Sequence, residues 1–413
     1  MNVRTRLARP LTVSVLPGLL ALGLCGPLQA ADSMTGLFTE GQAGVAFRYR
    51  LESVYQDSFA YDATASTLRA RLNFTSGKWN GFGFFAEYDY VVPVGWEDYN
   101  AGAGNTPDRV RYPVVADPEG ADLNQAYLQW QNDGGTLLRG GRERIIYDNA
   151  RFVGNVGWRQ NEQTYDGVYF QHKAAGFDWQ GAWVGRVNRI FGRDVPDGRH
   201  DHNTWLLNAS KAREGIGKLA AYYYDIDDEE TASFSTLTYG LRFTGEARTE
   251  AAVLGFAAEY AHQSDAHENP VDYAANYYRL DLSAALSRFT PYVGFESLGG
   301  DADRRGAAFR TPLATLHAFN GWADKFLTTP DAGLDDLFFG VKGKLGAWGW
   351  DLVYHDFSAE SGGADFGEDF DASLSRPLME HFGLLLKAAW FNGEASSPYD
   401  DTTKLWVQLT ADL

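Results

Sequence analysis

Apolar and polar residues alternate along most of the chain with a period of two. Near the start, the apolar positions are Val45, Phe47, Tyr49 and Leu51, and Arg48 and Arg50 lie on the opposite side. The same alternation continues to the last residue, Leu413. Alternation over about ten residues is typical of a strand in a transmembrane β-barrel, where one face meets lipid.

The pattern occurs eighteen times, so the sequence predicts an all-β protein: a transmembrane antiparallel β-barrel of eighteen strands. The predicted strands span residues 43–54, 66–76, 81–91, 122–132, 135–146, 163–173, 177–190, 203–211, 218–226, 235–245, 251–262, 274–287, 290–298, 334–345, 348–357, 366–375, 382–392 and 404–413. Every second connection is short, and the others are longer, the longest being 92–121 and 299–333. We therefore expect short periplasmic turns and long extracellular loops.

A soluble β-sandwich or β-helix is the alternative fold. The aromatic rings on the apolar face argue against it, because so many large rings would crowd a protein core. They are Tyr88, Tyr90, Trp130, Trp179, Trp183, Trp205, Tyr260, Trp350, Tyr354 and Trp390. Amphipathic rings of this kind belong at the two membrane–water boundaries, which favours the barrel.

The first thirty residues are typical of a bacterial signal peptide. Three arginines precede an apolar run at 11–24 that contains no acidic residue, and Ala30 offers a small residue for cleavage. A membrane-spanning helix needs about twenty apolar residues, and Pro17 interrupts this run. The sequence thus predicts a signal peptide at 1–30 and a single outer-membrane barrel at 31–413.

Charge and cysteine content narrow the partners of the mature chain. The only cysteine, Cys25, lies in the signal peptide, so a disulfide scaffold is excluded. Cleavage removes three of the 36 basic residues and none of the 54 acidic ones, which leaves a net charge of −21. Such a charge repels nucleic acid and anionic lipid headgroups, so we expect neither as a partner. Outer-membrane lipid around the barrel is the expected surrounding.

Charged residues on the inner face are the candidate functional residues, because a barrel of this size holds water. The basic residues expected to line the pore on the strands are Arg48, Arg50, Arg69, Arg71, Arg186, Arg242 and Arg279. We expect these side chains to meet an anionic polysaccharide or a small anionic solute.

Two interpretations of the first four arginines stay open. A tight turn brings Arg69 and Arg71 opposite two acidic residues, Glu87 and Asp89, which favours pairing within the wall. The two arginines of the first predicted strand have no evident partner and lie beside this pair. Like charges side by side are unfavourable, so the patch either binds an anion or finds partners elsewhere in the wall.

Other clusters carry little chemistry. His200 and His202 fall in a predicted loop with no third ligand nearby, and the acidic run at 225–230 lacks the EF-hand spacing. The chain contains no Walker sequence and no nucleophile elbow. We therefore expect no metal, no cofactor and no enzymatic activity.

The connection at 299–333 is too long for an ordinary loop and too apolar for a disordered one. Apolar residues step by three at Leu313, Leu316, Phe319 and Trp322. This spacing predicts a short helix beginning near Pro312 and packed on the barrel wall. We expect the loop to fold inward and narrow the pore; the alternative is a cap on the outside. The basic residues then free to line a constriction are Arg304, Arg305, Arg310, His317 and Lys325.

Two stretches resemble the alginate export family of outer-membrane proteins. The first comprises Gly141-Arg142-Glu143, Tyr147, Arg151-Phe152-Val153-Gly154, Trp158 and 164–168. The second comprises 309–315, His317, 319–326, Thr329-Pro330 and 333–336. The resemblance implies an eighteen-stranded barrel whose arginine-lined pore passes an anionic polysaccharide outward, with export partners in the periplasm. It carries over Arg142, Arg151 and Lys325 as pore residues.

Three functions stay open. The first is export of an anionic polysaccharide such as alginate. The second is a substrate-selective diffusion porin for the uptake of small nutrients, and the third is a receptor or adhesion scaffold that uses the loops. The sequence does not choose between export and uptake.

Overall fold

A computed structural model describes residues 33–413, which form a closed antiparallel β-barrel. The predicted signal peptide lies outside the described residues. One short helix, α1 (Gly36–Thr39), precedes the barrel. The strands are β1 (Gln42–Gln56), β2 (Ala63–Thr75), β3 (Phe82–Asp98), β4 (Gly120–Gln131), β5 (Thr136–Glu143), β6 (Thr164–Ala174), β7 (Phe177–Asn188), β8 (Arg199–Arg213), β9 (Gly217–Ile226), β10 (Thr236–Arg248), β11 (Val253–Asp265), β12 (Ala274–Ala285), β13 (Phe289–Leu298), β14 (Leu334–Leu345), β15 (Trp348–Ser358), β16 (Asp365–Met379), β17 (Phe382–Gly393) and β18 (Thr402–Asp412).

Each strand pairs with its neighbours in sequence, and β1 pairs with both β2 and β18. The sheet therefore closes on itself, and most of its backbone groups find partners within the wall. The prediction of eighteen strands is confirmed, with the order and most boundaries as expected. The largest difference is at β3, which continues to Asp98, seven residues beyond the predicted end. β8 begins at Arg199 and takes in four residues that we assigned to a loop.

Apolar side chains cover the outer face. Leu128 is 70% exposed, and Leu280 and Leu282 are exposed by more than half. The exposed rings include Tyr88, Tyr90, Trp179, Trp183, Trp205, Tyr260 and Trp390, all assigned to this face from the sequence. Such exposure is stable only where the surface meets lipid, as it does in an outer-membrane barrel. Within residues 33–413, no helix is long and apolar enough to span a membrane.

The connections alternate in length, with short turns such as 175–176 at one end and longer loops at the other. Residues from the long loops at 144–163 and 299–333 form a buried apolar cluster with inward-facing residues of the wall. Phe152 packs against Tyr277 and Phe309, with ring centroids 5.1 and 5.8 Å apart. The hydrophobic core of this protein thus lies inside the barrel, where side chains of the two loops fill space between the strands.

The predicted helix near Pro312 is wrong. The 299–333 loop contains only a single 3-10 turn, Leu316–Ala318. Beyond it, the backbone N–H groups of Trp322 and Ala323 donate to carboxylates of the wall, both at 2.9 Å, instead of to carbonyls one turn back. The apolar residues that recur every three positions in this loop therefore do not form the face of a helix. Their spacing reflects contacts with the barrel.

Candidate functional site

The 144–163 and 299–333 loops contact each other inside the barrel, and we call them together the plug. The N–H of Gly154 donates to the Leu313 carbonyl at 2.8 Å, and Val153 forms a parallel bridge with Leu313. A Cβ on Gly154 would lie 2.2 Å from the Thr315 Oγ1, so only glycine fits at this contact. The two loops are therefore packed as one unit.

The 144–163 loop crosses the lumen. It leaves the wall between β5 and β6, and its Arg151 donates to Glu296 on β13 at 2.7 Å. Asp148 accepts hydrogen bonds from Asn208 on β8 at 2.7 Å and from Lys218 on β9 at 3.1 Å. The loop is thus bound to the wall on several sides.

The 299–333 loop binds the wall at β13, β14 and β16. Asn320 donates to Glu296 on β13 at 2.7 Å and to Asp336 on β14 at 3.1 Å. Trp322 and Ala323 bind Asp371 and Asp369 of β16, as described above. Acidic side chains of the wall therefore serve as acceptors for the plug.

A chain of four charges joins the plug to both sides of the seam where β1 meets β18. Arg159 pairs with Glu52 on β1 at 3.0 Å and with Asp324 of the other loop at 3.4 Å. Asp324 in turn pairs with Lys404 on β18 at 2.8 Å. All four side chains are buried, so the pairs are weakly screened.

A second cluster surrounds Lys387 on β17. Its Nζ donates to His317 Nε2 at 2.7 Å and lies 3.6 Å from the centre of the Trp322 ring and 4.5 Å from that of Trp158. The other ring nitrogen of His317 donates to Asp324 at 2.6 Å. Since the ammonium can only donate, His317 is neutral here and accepts through Nε2.

Burial lowers the pKa of His317 to about 3; Asp324 opposes this shift and Lys387 reinforces it. Because the folded pKa lies below that of the unfolded chain, folding resists protonation, and stability falls as the pH drops from about 6.5 toward 3. We expect an unfolding free energy that decreases by up to about 1.4 kcal/mol per pH unit in this window. His317→Asn keeps a donor and an acceptor without titrating, so the slope should flatten in urea titrations in detergent.

The exposed His381 provides the control for this experiment. His381→Asn should keep the slope of the unaltered protein. Equal slopes for all three proteins would show that the protonation of His317 does not cause the loss of stability at low pH.

The first four arginines lie inside the barrel and are buried. Arg48 donates to the Gln160 side chain at 2.9 Å and to the Gly157 carbonyl at 2.9 Å. Arg50 donates to Gln408 at 2.6 Å. Plug and wall atoms thus occupy most of the donors that we expected to meet an anion.

The predicted hairpin pairing holds for one arginine and is wrong for the other. Arg71 lies opposite Asp89 and binds both of its carboxylate oxygens, at 2.7 and 2.6 Å. Arg69 lies opposite Val91 instead of an acid, because the register places Glu87 opposite Asn73. Two of the four arginines, Arg48 and Arg69, are cross-strand neighbours.

Glu162 of the 144–163 loop compensates this positive charge. It pairs with Arg71 at 2.8 Å, with Arg69 at 3.8 Å and more closely with Arg144. Burial alone would raise the pKa of Glu162, but the three guanidinium groups hold it well below its usual range. Glu162 is therefore an anion buried among cations, and it fixes the loop to the wall.

The remaining predicted basic residues divide into wall, plug and outer positions. Inside the wall, Arg242 pairs with Glu259, and Arg279 pairs with Asp281 at 2.9 Å. In the plug, Arg151 is buried against Glu296, and Arg310 donates to the Thr329 carbonyl at 2.7 Å. Lys325 lies 5.4 Å from the centre of the Phe391 ring, and burial lowers its pKa to about 8. Arg304 and Arg305 are exposed.

Arg142 and Arg186 face outward, so their assignment to the pore is wrong. Arg142 lies opposite Ala126 on β4, on the same face as the exposed Leu128. A bulge between Val184 and Arg186 shifts the register of β7, which turns Arg186 to the outer face opposite Asp201.

The expectation that His200 and His202 lack a third neighbour is also wrong. Both are buried on β8, and ligand atoms of Asp228 lie within 4.8 Å of theirs. However, Arg189 donates to His200 Nε2 at 3.1 Å, so Nδ1 keeps its proton and donates to Asp228 at 2.7 Å. Both ring nitrogens of His200 are therefore used in hydrogen bonds. In this arrangement His200, His202 and Asp228 form a hydrogen-bonded cluster in which His200 has no free nitrogen for a metal ion.

Sequence reasoning placed only Arg151 of the 144–163 loop in the site and missed Arg159 and Glu162. The sequence contained an indication, since this loop carries three aromatic residues, Tyr147, Phe152 and Trp158. So many apolar rings are unfavourable in a loop that is fully solvated. Applying the criterion used for the 299–333 loop would have identified it.

One family model, described as Alginate export, matches residues 41–280. The chain belongs to the alginate export family. The match includes the first of the two stretches that suggested this family, and the second lies beyond it. Among curated proteins, no sequence matches this member of the family.

Solved structures with the same fold are outer-membrane proteins. Acinetobacter baumannii OccAB4 matches with a TM-score of 0.71 at 12% identity, covering 94% of this chain and 100% of that one. Pseudomonas aeruginosa OpdK matches with a TM-score of 0.70 at 12% identity over 90% of this chain and 98% of that one. Another structure, of OpdK with vanillate, gives 0.71 at 12% identity over 92% and 100%. Family and fold together identify an outer-membrane β-barrel channel.

Proposed function

We propose that this member of the alginate export family is a substrate-selective channel for small organic anions. The observation that carries the proposal is the plug, which is bound to β1, β8, β9, β13, β16, β17 and β18. A lumen crossed by two loops excludes wide solutes, so we expect only slender ones to pass. A channel of this kind selects by size first and by charge second.

The preference for anions rests on a cation that remains accessible from the lumen. Arg139 on β5 faces inward with its side chain 28% exposed, and its guanidinium carbon lies 4.8 Å from the centre of the Tyr127 ring and 5.9 Å from that of Tyr169. Its acidic neighbour, Glu143, is 3.3 Å away and almost fully buried. A cation between two rings suits a small planar carboxylate, and the vanillate in the OpdK structure is a molecule of this class.

Export of an anionic polysaccharide is the second candidate, favoured by the family match over 41–280. A single polymer chain would have to thread past the plug, or the plug would have to move aside. The buried ion pairs between plug and wall oppose such movement.

Planar bilayers and liposomes distinguish the two functions. We expect a reversal potential in a KCl gradient that indicates anion preference, and liposome uptake of benzoate-sized carboxylates but not of a ten-unit oligouronate. Arg139→Gln should reduce the anion preference, because it removes an accessible cation. Arg248→Gln, at an exposed position near the periplasmic end, is the matched control. Passage of the oligouronate at the rate of the small carboxylate would favour export instead.

A further inference from the structure

The barrel wall has a gap at its extracellular end, between β4 and β6. β5 stops at Glu143, and its pairing with β4 ends at Ala126 and Arg142. The 120–125 segment of β4 pairs with β3 on one side, and no strand in residues 33–413 pairs with its other side. An unpaired strand edge leaves backbone groups that need other partners.

A cavity of about 420 Å³ occupies this gap. Its lining includes Gly141 and Gly167. Three arginines also contribute: Arg142, Arg193 and Arg199. The gap therefore contains free space, and part of its lining is basic.

The gap opens to the outside of the barrel, at the boundary of the membrane. Its lining residue Leu123 is 44% exposed and lies opposite the exposed Tyr88. On the neighbouring strands, the exposed rings of Trp183 and Trp205 lie opposite each other, just below the outward ion pair of Arg186. Exposed rings of this type mark the level of the lipid headgroups.

The three arginines of the gap differ in how many of their hydrogen-bond donors already have a partner in the protein. Arg142 binds Asp166 at 2.6 Å and donates to the Leu123 carbonyl at 3.0 Å, which caps the free edge of β4. Arg199 has its nearest acid, Asp122, at 4.0 Å, and its buried Nε has no hydrogen-bond partner among the described residues. Arg193 likewise has its nearest acid at 4.0 Å.

We propose that this gap binds a phosphate group of a phosphorylated glycolipid in the outer leaflet. Arg193 and Arg199 would supply the charged donors, since guanidinium groups match the geometry of phosphate oxygens. The exposed Leu123 and Leu128 beside the gap offer an apolar surface to the acyl chains. This membrane-facing position favours a lipid phosphate over a free one.

The net charge of the chain led us to expect repulsion of anionic headgroups, but the charges close to the gap have the larger effect on binding there. Charges farther away than about 10 Å are largely screened at 0.1 M salt, so the local arginines decide. The two acids in the lining, Asp122 and Asp166, both lie closest to Arg142, which leaves the other two arginines for the ligand.

Native mass spectrometry of the detergent-solubilised protein tests the proposal, with diphosphorylated lipid A as the probe. We expect binding of the lipid, and a loss of affinity of about tenfold or more in the double variant Arg193→Gln/Arg199→Gln, because two charge-assisted contacts are lost. Arg248→Gln, at the opposite end of the barrel, should bind as the unaltered protein does. The mobility difference between boiled and unboiled samples on a gel reports whether each variant is folded.

Two further arms identify the ligand group. Dephosphorylated lipid A should bind at least about tenfold more weakly than the phosphorylated form, and millimolar inorganic phosphate should not displace it. Equal binding of the two lipids, or no loss of affinity in the folded double variant, would overturn the proposal. Displacement of lipid A by inorganic phosphate at millimolar concentration would overturn the assignment to a lipid.

Discussion

Replacing residues 303–330 with a short Gly/Ser linker should raise the single-channel conductance severalfold. This segment carries His317, Asn320, Trp322 and Asp324, which bind the wall on β13, β14, β16, β17 and β18. Its removal takes away half of the plug and leaves the strands paired as before. Conductance rises because the narrowest section of a water-filled pore sets its resistance.

Planar bilayer recordings in 1 M KCl provide the measurement for this deletion. Replacing the exposed turn 249–252 by the same type of linker is the control, since this turn is remote from the plug. A folded deletion variant with unchanged conductance would show that the 299–333 loop does not limit the flow of ions.

Glu162→Gln should lower the unfolding free energy by about 3–5 kcal/mol, the typical effect of breaking a buried charge pair. The side chain faces three arginines, Arg69, Arg71 and Arg144, and its removal leaves their charges buried with less compensation. We also expect noisier open-channel current, because the 144–163 loop loses its ion pairs with Arg69 and Arg71 of β2. Urea titration in detergent micelles and bilayer recordings measure the two effects.

The pH dependence of this difference has a definite sign. The folded pKa of Glu162 lies well below its usual range, so its contribution is present above the unfolded pKa of about 4.3 and is lost as the pH falls through the folded value. The two proteins should therefore differ equally at pH 6 and pH 8. Glu268→Gln, at an exposed loop position, is the matched control. A Glu162→Gln protein as stable as this control would contradict the role of Glu162.

The strands could be predicted from the sequence because lipid and water act on each strand locally. An outward position must be apolar along the whole wall, so alternation alone gives the number, order and facing of most strands. The prediction of which side chains face inward is wrong where the register of a strand changes. The bulge before Arg186 turns this side chain outward although the alternation of β7 points it inward. For Arg142, the alternation with Leu138 already indicated the outer face, and the family resemblance misled us.

The plug could not be predicted in detail because its contacts join distant parts of the chain. Arg159 reaches Glu52, 107 residues earlier, and Asp324, 165 residues later. The sequence shows that these residues are charged, but it does not show which charged residues are paired in the fold. Apolar content identifies a loop that avoids water, but only the closed wall decides which side chains it meets.

The four charges across the β1–β18 seam bear on how the barrel assembles. The first and last strands carry Glu52 and Lys404, and Arg159 and Asp324 of the plug join them from within. Contacts between the chain ends form against a large loss of chain entropy, so the last pairing of the barrel is its slowest and least favourable step. Here the two loops hold both end strands from within, in addition to the backbone pairing between them. The plug thereby adds buried ion pairs to the pairing that closes the barrel.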